Sequence, residues 1–238
     1  MRQSYIFILL LSLLFLQATC DKENTTNMTP NPPEIEDSPV YYLALGDSYT
    51  IGESVEVEER WPVQLVQALR EADIEVEAPR LIAQTGWTTS NLKDAIAEAD
   101  LANEFALVSL LIGVNNQYQG KNIEQYTVEF EQLLLRAIKL AGDDKDKVLV
   151  VSIPDYGATP FGASNAEYIG TQIDAFNAVN KEITEKHDVR YFDITPISRQ
   201  AKENSELTAN DGLHPSGEMY RLWVELMIEE GIKEMLQD

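Results

Sequence analysis

"FALVSLLIG" (105–113) decides the fold, because it is the most continuous apolar run after the amino-terminal segment. It is too short for a typical buried helix and shows no alternation of apolar and polar residues, so it predicts a strand covered on both faces. Such a strand belongs at the centre of a parallel sheet. Working outward, "VYYLALG" (40–46), "IEVEAPRLIAQ" (74–84), "KVLVVSIP" (147–154) and "VRYFDIT" (189–195) are further strand candidates. Pro79 interrupts the second of these and Pro154 ends the third. Helical patterns fill the intervals. "PVQLVQALREA" (62–72) sets Val63, Leu65, Val66 and Leu69 on one stripe, with Pro62 suited to the first turn. "TTSNLKDAIAEAD" (88–100) opens on capping residues, and "NIEQYTVEFEQLLLRAIKLAG" (122–142) closes on Gly142. Residues 165–187 align Ile169, Ile173, Phe176 and Ile183, and Ser216 caps a final helix over 216–236. Five alternations of strand and helix predict an α/β protein: a three-layer sandwich with a five-stranded parallel sheet and right-handed crossovers.

The folded domain is expected over 40–238. Before it, "MRQSYIFILLLSLLFLQATC" carries Arg2 and then an apolar run too short for an ordinary membrane span, so residues 1–19 predict an export signal. Cys20, the only cysteine, follows that run behind Ala18 and Thr19 and resembles the acceptor of a bacterial lipoprotein signal. A plain secretory signal with an incidental cysteine is the alternative. Residues 20–39 are rich in Asn, Thr, Pro and acid and predict an extended tether. The expected location is therefore the bacterial cell envelope, with the lipid on Cys20 as the membrane anchor. Eighteen basic against forty acidic residues give a formal charge of -22, which repels phosphate backbones and argues against nucleic acid as a partner.

In a parallel sheet, ligands bind beyond the carboxyl ends of the strands. That rule selects residues 46–48, 84–87, 113–116, 154–156 and the stretch after the fifth strand. Only two histidines exist. His187 falls at a helix end, where a partly charged ring complements the dipole. His214 lies in "ANDGLHPSGE" with Asp211 three residues earlier, close enough to accept from the ring's Nδ1 and leave Nε2 free. Ser48, in "GDSYT", misses the G-x-S-x-G elbow because Thr50 replaces the second glycine; alone it is equally a cap of the next element. Gly86, in "QTGWTT", can bring its N–H close to a substrate, and Asn115, in "GVNN", offers a carboxamide. Asp47 beside the serine, and Trp87, Tyr118, Tyr156 and Phe161 on the same loops, are candidates to line a pocket. The acids of "GDDKDK" (142–147) lack the spacing of a calcium loop and predict a solvated turn, so no metal site is expected.

In set and order, Ser48, Gly86, Asn115 and the Asp211/His214 pair resemble the SGNH hydrolase family, also called GDSL esterases and lipases. "GDS" (46–48), Gly86, "GVNN" (113–116) and "DGLHP" (211–215) match its four blocks, except that Asn116 stands where the family usually has Asp. The resemblance implies a flavodoxin-like sandwich in which Ser48 is the nucleophile, His214 the general base and Asp211 its orienter. It also implies that the N–H groups of Ser48 and Gly86 and the side chain of Asn115 hold the oxyanion, with no cofactor. The implied substrates are small esters: short-chain acyl, acetylated carbohydrate or lysolipid. A surface lipoprotein of the same fold that binds a glycan or lipid without turnover is the alternative.

Overall fold

A computed structural model describes residues 40–101 and 104–236. The expected signal, Cys20 and tether lie outside the described residues. The five predicted strands are present: β1 (Tyr42–Gly46), β2 (Arg80–Ala83), β3 (Leu107–Leu111), β4 (Val148–Val151) and β5 (Arg190–Phe192). They form one parallel sheet in the order β2-β1-β3-β4-β5. The run that opened the argument is thus the central strand, and all five of its residues are buried. Its one polar side chain is matched: the Ser109 hydroxyl lies 2.8 Å from the hydroxyl of Tyr42 on β1, so neither is left unpaired in the core.

Strand β2 is shorter than its apolar pattern. Pro79 has no N–H to give to a ladder, so pairing with β1 starts at Arg80, and upstream only Val76 makes an isolated bridge to Val40. The proline is tolerated because β2 is an edge strand.

The helices are α1 (Ser48–Ile51), α2 (Trp61–Arg70), α3 (Thr89–Glu98), α4 (Val114–Tyr118), α5 (Ile123–Leu140), α6 (Ala166–Lys186), α7 (Thr195–Ser198) and α8 (Gly217–Glu229). Two groups of helices cover the sheet. In one, α2 packs on α8; in the other, α5 packs between α3 and α6. Helix α5 turns Tyr126, Phe130, Leu133, Leu134, Ala137 and Leu140 inward, the three-and-four spacing of a buried stripe. On α8 the fully buried Tyr220 and Trp223 meet edge to face at 5.0 Å. Helices α1, α4 and α7 were not foreseen, because elements of four or five residues are too short to show a period.

The chain leaves β1 for β2 on one side and then crosses to β3 on the other. Strand order reverses there, which opens a crevice beyond the carboxyl ends of β1 and β3.

Candidate active site

Ser48 stands in that crevice. Strand β1 ends at Gly46, and α1 begins at Ser48 itself. Asp47, not Ser48, caps the helix: its Oδ1 accepts the N–H of Tyr49 at 3.1 Å, which leaves the serine hydroxyl free of capping duty. Ser48 is 4% exposed.

The loop between β5 and α8 brings the other pair. His214 Nδ1 lies 2.6 Å from Asp211 Oδ2, while Asp211 Oδ1 accepts the N–H groups of Leu213 and His214, both at 2.9 Å. Oδ2 also accepts the Ser54 hydroxyl at 2.7 Å. Burial works against the charge of Asp211, but these hydrogen bonds outweigh it and hold the carboxyl well below the usual range. An ionised carboxylate only accepts, so the imidazole proton sits on Nδ1 and Nε2 is the free nitrogen. Tyr49 braces the ring edge to face, with centroids 5.7 Å apart. Ser48 and His214 line one cavity, although no hydrogen bond joins them among the described residues. In free enzymes such bonds are often long and tighten on binding substrate.

Gly86 and Asn115 line the same cavity as Ser48. Gly86 has φ +84°, a conformation favoured by glycine, in the turn closed by the Trp87 N–H donating to the Gln84 carbonyl. Neither the Ser48 nor the Gly86 N–H has an intramolecular acceptor among the described residues. Asn115 Nδ2 donates to the Trp87 carbonyl at 3.0 Å, which orients the carboxamide and leaves its second N–H uncommitted. Asn116 explains its own departure from the family pattern. Its Oδ1 accepts the Thr89 N–H at 3.0 Å and its Nδ2 donates to Thr89 Oγ1 at 2.7 Å, while that hydroxyl donates to Glu129. A carboxylate at 116 could not supply the second bond. The amide therefore ties α4 to the start of α3 while the hydroxyl keeps its acidic partner.

The shared cavity, about 170 Å³, is lined by Ser48, Gly86, Asn115 and His214 together with Tyr118, Tyr156 and Phe161. Asp47 and Trp87 do not line it. The Asp47 carboxyl turns back over its own helix as the cap and is fully buried. Trp87 packs its side chain on the core and contributes its carbonyl to Asn115 instead. Tyr49, Thr85, Val114 and Leu213 also line the cavity. They are neighbours of the predicted residues and carried no signal of their own. Nor did Ser54, which reaches Asp211 across 157 positions. Two larger surface hollows, about 700 and 750 Å³, have walls of mixed charge and, among the described residues, hold no serine or histidine. His187 lies elsewhere, with Nε2 2.8 Å from Glu131. In the acidic turn, Asp143, Asp144 and Asp146 pair with Lys139, Lys147 and Lys145.

Burial pushes the Asp47 carboxyl up to about 7, against the N–H bond from Tyr49 that favours its charge. A raised folded-state pKa contributes stability that is full below the unfolded value near 3.8 and is lost as pH rises through about 7. Asp47→Asn keeps the capping oxygen and removes the titration. The Tm of the unsubstituted chain should therefore fall relative to that of the variant across this window and run parallel above it. Thermal melts of both chains from pH 4 to 9 check this; curves parallel throughout would contradict it.

A parallel sheet with this arrangement beyond its carboxyl edge is the setting of a hydrolase of ester bonds. The chain belongs to the GDSL-like lipase/acylhydrolase family, whose model matches residues 44–222. Solved structures are similar over nearly their whole length. The lipase/acylhydrolase from Enterococcus faecalis is 23% identical with a TM-score of 0.62, covering 82% of this chain and 96% of that one. The acetylxylan esterase Axe2 from Geobacillus stearothermophilus is 18% identical, with a TM-score of 0.63 and coverage of 84% and 98%. The psychrotrophic esterase EstA from Pseudoalteromonas sp., in a structure inhibited by monoethylphosphonate, is 18% identical, with a TM-score of 0.61 and coverage of 83% and 99%. A search of curated protein sequences returned no match.

Proposed function

We propose that the protein is a serine esterase that cleaves carboxylic esters of short acyl groups through an acyl-enzyme on Ser48. His214 Nε2 takes the proton of Ser48 Oγ as that oxygen attacks the ester carbonyl, and returns it to the leaving alcohol. Water then enters, gives a proton to His214 and attacks the acyl carbonyl; the acid departs as Ser48 recovers its proton. Asp211 holds the ring and stabilises the imidazolium that forms between these steps. The N–H groups of Ser48 and Gly86 and the free N–H of Asn115 receive the oxyanion. The observation that carries this reading is the cavity itself, lined both by a serine freed from capping and by a histidine whose other nitrogen is held by Asp211.

The test is to treat the full chain with a fluorophosphonate probe and with p-nitrophenyl acetate. Labelling and turnover are expected, and a chain that shows neither is not a serine esterase.

The amino-terminal sequence supports a second part of the proposal, that the enzyme is exported and anchored in the cell envelope by a lipid on Cys20. Cys20→Ser should move it from the membrane fraction to the soluble one when the two are separated by centrifugation. Unchanged attachment would rule out the anchor.

A further inference from the structure

The catalytic cavity does not end at Phe161. A second groove of about 370 Å³ shares Tyr118, Tyr156 and Phe161 with it and continues over Gln117, Ser164, Asn165 and Tyr168. The three shared rings form a cluster with centroids 6.1 to 6.4 Å apart. Large aromatic faces remain in water here: Tyr118 is 59% exposed, Phe161 51% and Tyr168 64%. Exposed rings gathered around one groove, and not scattered singly, mark a binding surface.

Polar groups around them are uncommitted. The Tyr156 hydroxyl donates to Gln117 Oε1 at 2.9 Å, which fixes that amide and leaves its Nε2 hydrogens without an acceptor among the described residues. Asn165 makes no capping bond with its side chain at the start of α6. Among the described residues, the linings of both cavities hold no Asp, Glu, Lys or Arg, in a chain where 24% of residues carry those charges.

This lining selects among ester substrates. A phosphate in the leaving group, whether the alcohol of a lysophospholipid or the thiol of an acyl thioester of a nucleotide cofactor, calls for Arg or Lys, and neither is present on the walls among the described residues. A long acyl chain calls for a continuous apolar channel, whereas this groove mixes rings with amides and a hydroxyl. A sugar has both faces that such a wall fits: C–H groups that lie flat on aromatic rings, and hydroxyls at the edge that exchange hydrogen bonds with amides. Building on the acyl-transfer reading of Ser48, we infer that the groove from Tyr118 to Tyr168 binds the alcohol part of the substrate, and that this part is a neutral sugar. The short acyl group occupies the cavity at Ser48, and the sugar is the leaving alcohol.

The experiment compares kcat/KM of the full chain on O-acetylated xylobiose and O-acetylated chitobiose, two sources of the same ester chemistry, with that on p-nitrophenyl acetate, lysophosphatidylcholine and acetyl-CoA. Tyr168→Ala and Asn165→Ala are assayed beside it. At least one acetylated disaccharide should be the best substrate. Each substitution should lower the ratio of disaccharide to p-nitrophenyl acetate activity, mainly through KM and by about tenfold for the lost ring. A preference for lysophosphatidylcholine or acetyl-CoA overturns the inference, as does a ratio that neither substitution moves. Turnover of p-nitrophenyl acetate with no preference for a sugar ester would remove the sugar subsite and leave the esterase intact. Failure on every ester would remove the esterase reading itself.

Discussion

Ser48→Ala is expected to lower kcat on p-nitrophenyl acetate by at least about 10⁴-fold and to abolish fluorophosphonate labelling. The reason is covalent: without Oγ no acyl-enzyme forms, and His214 is left as a base with nothing to activate but water. On the proposed mechanism the oxyanion donors keep only their own share of the acceleration, because two of the three are backbone groups that the substitution leaves in place. Folding should be almost unaffected. The cap of α1 is the Asp47 side chain, and Ser48 makes no side-chain hydrogen bond among the described residues that alanine would forfeit. Rates and labelling are therefore measured beside a thermal melt. A variant with unchanged Tm that retains more than about a hundredth of the activity would show that the nucleophile lies elsewhere.

Asp211→Asn should cost nearly as much, about 10³ to 10⁴ in kcat, although it changes one oxygen to nitrogen. The carboxamide oxygen can still accept the N–H groups of Leu213 and His214, so the loop keeps its shape. At the second position an N–H₂ group now faces His214 Nδ1, which must become an acceptor. The ring proton moves to Nε2. The nitrogen that faces the cavity then donates where it should accept, and the base is lost through its tautomer and not through its position. Kinetics on p-nitrophenyl acetate together with melting of the variant separate the two causes. A loss under tenfold in a chain that melts normally would show that Asp211 is a structural partner of the loop and does not set the state of the ring.

Much of the fold was legible because burial on both faces leaves a direct trace in composition. "FALVSLLIG" (105–113) had to be interior, and an interior strand among alternating helices implies a parallel sheet. Strand ends were less legible. The second candidate began at Ile74, yet Pro79 delays the ladder to Arg80, since a missing N–H outweighs apolar content. The residues of the site were named by their places at strand ends. Their partners were not, because side-chain direction within a turn leaves no trace in spacing. Asp47 adjoins Ser48 in sequence but folds back as a cap, Trp87 serves through a carbonyl, and Ser54 reaches Asp211 from a distant loop.

The amino-acid sequence by itself determined the layered α/β class, because that depends on local periodicity, and it offered Ser48, Gly86, Asn115, Asp211 and His214 as candidates at strand termini, joined into one set by their resemblance to the SGNH blocks. Only the tertiary structure decided which aromatic rings share the cavity, that Asn116 and Thr89 form a matched pair, and that among the described residues no charged side chain stands along the two joined hollows. These are properties of surfaces assembled from several loops. Each loop's direction depends on what it packs against, and that packing is set by contacts between residues far apart in the chain.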